Sequence, residues 1–109
     1  MAGGALLQNA ASSTGNGSEF DCRGLDGHHI LTVIGTGTIS AGGVTWEEAL
    51  SSGYAGTWRP LAAEILPVAD TVVAAVYDGP LRFVRARIST AVTGGGSVTV
   101  RHQPANGSL

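Results

Sequence analysis

Lysine is missing from this 109-residue chain, cysteine occurs once, and charged residues make up only 13% of the total. About a quarter is usual for a globular domain, so the surface is short of solubilising charge and suits a protein partly covered by neighbours. The basic residues are six arginines against eight acidic residues, for a net charge of −2. That balance supplies no electrostatic basis for nucleic-acid binding, which needs a basic footprint. The lone thiol, Cys22, has no second cysteine with which to form an internal disulfide. No apolar run approaches the ~20 residues of a membrane-spanning helix. The first residues carry neither a basic segment nor an apolar stretch of signal-peptide type, so synthesis in the cytoplasm without export is expected.

What the chain does have is glycine, 17 residues of it, and 43% hydrophobic residues. A positive mean hydropathy argues against disorder. A chain of this length buries roughly two-thirds of its unfolded surface, enough for one core and one domain. The glycines fall between short runs of β-branched and apolar residues, the pattern of strands joined by tight turns. Residues 19–23 alternate, with Phe20 and Cys22 on one face. Residues 29–34 (HILTVI) and 71–77 (TVVAAVY) are nearly continuous apolar runs, the pattern of strands buried on both faces. Residues 38–40 suggest a short strand. Residues 44–49 put Val44, Trp46 and Glu48 on one face. Residues 57–61 form a strand that Pro60 confines to an edge. Residues 81–90 alternate Val84, Ala86 and Ile88 against Phe83, Arg85 and Arg87. Residues 97–101 complete the set with Val98 and Val100 inward. Turn signals every ~8–12 residues predict an all-β, single antiparallel sandwich of about seven or eight short strands, either a jelly roll or an Ig-like fold. Helix is limited to a turn or two near residues 46–51 or 61–66. The sandwich spans residues 19–102. Residues 1–18 read as a flexible N-terminal arm, or as a plain disordered tail, with Leu6 and Leu7 as its only apolar pair. Residues 103–109 read as a flexible C-terminal tail.

Chemistry is thinly signalled. His28 and His29 are adjacent, so on a strand they point to opposite faces and do not chelate one ion. His102 is distant in sequence, and no metal site or cofactor is expected. There is no G-x-S-x-G elbow, no P-loop and no dinucleotide fingerprint. Glu47 and Glu48 diverge on a strand and make no convergent carboxylate pair. No catalytic residues are expected. Half of the arginine lies in one strand, at Arg82, Arg85 and Arg87. Arg85 and Arg87, beside Phe83, form either a solvated face paired with cross-strand carboxylates or a protein–protein contact of the Arg-and-aromatic kind. Trp46, Trp58 and Tyr54 allow a sugar-binding platform, although core packing is the commoner fate of tryptophan.

Three blocks carry a resemblance. They are VTWEEA at 44–49 leading to YAGTWRPL at 54–61, DGPLRFVRARI at 78–88, and TGGGSVTV at 93–100. With Leu6-Leu7 and the TGNGS at 14–18, they make the chain resemble small β-sandwich virion proteins of tailed bacteriophages, the structural, head-decoration or head-fibre-like kind. The resemblance covers about residues 4–103. It implies a non-enzymatic capsid decoration, or cement, protein on the outer capsid surface. It also implies the major capsid protein as partner and self-association as a homotrimer, with no nucleic acid or membrane partner. Leu6, Leu7, Phe83, Arg85 and Arg87 are the candidate contact residues, the arm ordering on the capsid. A tail- or fibre-associated module and a carbohydrate-binding sandwich are the alternatives.

Overall fold

The computed structural model describes residues 5–23 and 27–104. These contain eight strands: β1 (Ala5–Ala11), β2 (Phe20–Asp21), β3 (His28–Thr36), β4 (Ala41–Ala49), β5 (Arg59–Pro60), β6 (Val72–Asp78), β7 (Phe83–Thr93) and β8 (Ser97–Pro104). They form two four-stranded sheets, ordered β1-β8-β3-β6 and β2-β7-β4-β5, with every pairing antiparallel. The first strand thus pairs with the last, the second with the seventh, the third with the sixth and the fourth with the fifth. A long ribbon of four nested pairs has been rolled so that successive pairs fall in opposite sheets. That is the eight-stranded jelly roll, and it decides against the Ig-like alternative. Among the described residues there is no helix.

The core lies between the sheets. From one come Leu7, Leu31, Val33, Val98 and Val100; from the other come Val44, Trp46, Val84, Ala86 and Ile88. All ten are 2% exposed or less. The period-two pattern places them correctly because one face of each sheet is buried and a one-residue slip would turn every one of these side chains outward. A turn with Gly94 and Gly95 at φ of 106° and 97° joins β7 to β8, a conformation closed to most L-residues.

Several expectations need correction. The first concerns the arm. Residues 5–11 are strand β1, paired with β8 from Ala5–His102 to Ala11–Val98, with two register irregularities. Leu7 is 2% exposed, so it belongs to the core and offers nothing to a partner, whereas Leu6 is 40% exposed. The following segment is fastened to β7: Gly15 and Ile88 exchange backbone hydrogen bonds, and the Val92 amide donates to the Ser12 carbonyl at 2.8 Å. Gly17 sits at φ 71°, where a Cβ would meet the Leu7 carbonyl oxygen at 2.4 Å, so only glycine fits this crossing. Small polar residues made this stretch look like a tail, but small residues are also what let it pass close over the sandwich. At the other end, Gln103 and Pro104 still belong to β8, and the rest of the expected C-terminal tail, 105–109, lies outside the described residues.

The second correction concerns β6. Its apolar run suggested a strand buried on both faces, yet it is the edge of its sheet, with Val72 59% and Val76 62% exposed. A run without alternation does not distinguish a central strand from an apolar edge. Residues 38–40 lie in the β3–β4 connection rather than in a strand. Pro60 does sit in an edge strand, β5.

Candidate functional site

Three places in this frame hold chemistry or contact surface. The first is the outer face of the β2-β7-β4-β5 sheet, where the period of two sends Phe83, Arg85 and Arg87 away from the core. Register sets them opposite Ala49, Glu47 and Thr45. Glu47 is 3% exposed. It accepts hydrogen bonds from Arg85 Nε at 2.8 Å and Arg87 Nε at 3.2 Å. The Arg85 guanidinium also lies 4.1 Å from the centroid of the Trp58 ring. Trp58, 3% exposed, packs with Ala49 and Phe83 in a small second cluster. Its indole N–H donates to the Tyr54 carbonyl at 2.8 Å. The segment between β4 and β6 therefore folds back over this face and covers much of it. Arg85 is engaged on both sides within its own chain, and Arg87, with 39% of its side chain exposed, is the more open of the two. Further along, Glu64 accepts from the Ser89 and Thr90 hydroxyls at 2.7 and 2.8 Å. Those two bonds, with the Arg87 charge, hold its carboxyl below the usual range.

At the end of the same sheet a cleft of about 380 Å³ is lined by Glu48, Ala49, Leu50, Tyr54, Thr57 and Arg59. Its cation is engaged, because Arg59 is ion-paired with Glu48, which also accepts the Arg82 backbone N–H at 2.8 Å. Trp46 and Trp58 are both inside the protein. Of the three aromatics considered for a sugar platform, only Tyr54, 46% exposed, faces out.

The second place is the free side of β6. Seven residues, Val72–Asp78, pair in unbroken register with β3, and among the described residues no strand pairs with their other side. Edge strands are usually blunted by lysine, proline, a bulge or brevity. β6 has no proline and no register shift, and its one charge is Asp78 at the end. Asp78 is hydrogen-bonded to the His28 ring.

The third place is in the core. His28 is exposed and His29 is buried, the opposite orientation expected of neighbours on a strand. His29 then meets His102 of β8, the strand alongside, and Cys22, which follows β2 in the other sheet. Of the three, His102 is distant in sequence from the other two. Their ligand atoms lie within 4.8 Å of one another. Local spacing carried no sign of this, because it depends on β8 pairing with β3 and on the two sheets closing. Burial lowers the His102 pKa to about 4, helped by the neighbouring His29. Burial raises the Cys22 thiol to about 12, with Asp21 and Glu48 adding to the effect. In the metal-free protein, His102 therefore titrates below its unfolded value of 6.5. The unfolded chain binds the extra proton between those values, so stability is full above about pH 6.5 and falls as pH drops toward 4. The expected loss is on the order of 3 kcal/mol over that window. Urea unfolding at pH 7 and pH 4.5 checks it, with His102→Gln flattening the profile.

The strand order, together with a core that takes Leu7 from the first strand and Val100 from the last, sets the basis for comparison. This chain shares its fold with a prophage-derived protein. The crystal structure of the SPBc2 prophage-derived protein YomS matches it with a TM-score of 0.67, over 94% of this chain and 90% of that one. The two are 19% identical, so the likeness is one of fold. No protein-family model matches the chain, and no curated protein matches it.

Proposed function

We propose that this protein is a non-enzymatic structural component of a tailed-phage virion, and specifically a capsid decoration protein. It lies on the outer capsid lattice and bridges copies of the major capsid protein, as a homotrimer. The observation that carries this reading is the open β6 edge. A seven-residue strand with one side unpaired among the described residues, and with Val72 and Val76 exposed, is a template for strand addition by a neighbour. In a chain with no lysine and 13% charged residues, such an edge is a liability unless a partner covers it. The prophage origin of a protein with the same jelly roll supports the phage setting, and the residue blocks that resemble virion proteins support the capsid. Many identical weak contacts add up on a lattice, and a protein that binds only the assembled shell stabilises that shell.

Two measurements test the proposal. Quantitative mass spectrometry of purified virions is expected to find hundreds of copies per particle. A handful would move the protein to the tail, and none would overturn the virion role. Light scattering of the purified protein is expected to give a trimer that V72K/V76K converts to a monomer. Both positions are exposed, so that double variant should change monomer stability by no more than about 1 kcal/mol. A trimer that survives it would remove β6 from the subunit contact.

A further inference from the structure

The core cluster of Cys22, His29 and His102 draws on both sheets. His29 and His102 are diagonal neighbours on β3 and β8, since Leu31 is the residue directly opposite His102. Their rings stack at 5.2 Å with an interplanar angle of 24°. Cys22 reaches them from the opposite sheet, its Sγ 3.8 Å from His102 Nε2. All three residues are 0% exposed. The walls are aromatic, with Phe20 at 5.2 Å and Trp46 at 5.8 Å from the His102 ring.

As packing alone this is a poor arrangement. Buried polar atoms are normally hydrogen-bonded. His102 Nε2 faces a sulfur, a weak donor and weak acceptor, at 3.8 Å. As a ligand set it is well matched. With metal–sulfur and metal–nitrogen bonds of about 2.3 and 2.0 Å, the values at zinc, sulfur and nitrogen on one ion stand about 3.7 Å apart at a trigonal angle. The Cys22–His102 separation of 3.8 Å is close to that value, and the three ligand atoms, within 4.8 Å of one another, need about 1 Å of closure to share one ion. One thiolate and two neutral imidazoles carry a single negative charge. A monovalent ion cancels it, while a divalent ion would leave a positive charge in an apolar core, where an uncompensated charge is costly. Thiolate ligands also favour soft ions.

We infer that Cys22, His29 and His102 form a three-coordinate site for a soft monovalent cation, Cu(I), closed between the two sheets of the jelly roll. On binding, the Cys22 S–H bond breaks, its electron pair forms the Cu–S bond and the proton leaves to solvent. Each imidazole donates one nitrogen lone pair. No electron is transferred, and the ion enters and remains as Cu(I). The ion ties β2 to β3 and β8, an inter-sheet link in a chain that has no disulfide. Because the ligands are fully enclosed, loading is coupled to folding.

The test is anaerobic refolding of the full chain with Cu(I) buffered by a chromophoric chelator, alongside direct titration of the native protein. The expected result is one copper retained per chain, a raised Tm, and an X-ray absorption spectrum with one sulfur and two nitrogen neighbours. Changing a supporting residue around a metal site costs about 10–100-fold in affinity. Loss of a ligand in C22A or H102Q is therefore expected to weaken retention by more than about 100-fold. The absorption spectrum of the wild-type protein decides the matter even if neither variant folds. Wild-type protein that holds no copper after both treatments, or copper without a sulfur neighbour, overturns the site. Equimolar Zn(II) displacing Cu(I) overturns the assignment of a monovalent ion.

Discussion

Removing residues 1–11 is expected to abolish the folded state. The cut takes away β1, uncovers β8 along its pairing from His102 to Val98, and deletes Leu7 from the core. Leu7→Ala alone should cost about 2–5 kcal/mol, the range for a buried leucine whose cavity only partly collapses. The total stability of a domain is about 5–15 kcal/mol. For a domain near 100 residues, that single substitution lowers Tm by roughly 10–20 °C. Leu6→Ala, one residue away but facing out, should change stability by no more than about 0.5 kcal/mol. Thermal unfolding followed by circular dichroism separates the cases. A truncated chain that still unfolds cooperatively at the wild-type temperature would show that β1 is dispensable, and the segment would then behave as the arm its composition suggested.

The contrast between Leu6 and Leu7 also shows where sequence reading succeeds here and where it stops. Strands with strict alternation were legible because one face must be buried: the order Phe83-Val84-Arg85-Ala86-Arg87-Ile88 assigns both faces of β7 without knowledge of any partner. Pro60 marked an edge because proline lacks a donor for the ladder. β6 was misleading because its exposed Val72 and Val76 look like core residues when no neighbour is known. β1 was misleading because pairing with β8 bridges the whole length of the chain, and nothing local marks a partner some 90 residues away. The same distance hid the Cys22, His29 and His102 cluster. Strand geometry makes the opposite orientation of His28 and His29 legible, but the meeting of His29 with His102 and Cys22 depends on which strands lie side by side. The nested pairing of a jelly roll brings together residues far apart in the chain, so its sites are the hardest to find by spacing.

Glu47 offers the second large effect. Glu47→Ala should destabilise the protein by about 3–5 kcal/mol, because it strands the Arg85 guanidinium in a largely buried position without its carboxylate. Only 14% of the Arg85 side chain is exposed, so water cannot take over the lost partner. The Trp58 ring at 4.1 Å offsets a little of this, about 0.5–2 kcal/mol for a cation over an indole face. Replacing both partners with apolar residues of similar volume, E47L/R85M, should recover most of the loss, since neither charge then needs burying. Urea unfolding of E47L, R85M and E47L/R85M measures this coupling directly. A simple sum of the single effects would mean that the pair is not coupled and that Arg85 is free to serve another partner. Arg87 behaves differently. Its longer 3.2 Å contact with Glu47 and 39% exposure place Arg87→Ala within about 1 kcal/mol of wild type. If the outer face of this sheet touches the capsid, Arg87→Ala is the variant that should fold normally yet lose retention on particles. Loss of retention in R85M would follow instead from a changed fold, because among the described residues its guanidinium is taken up by Glu47 and Trp58.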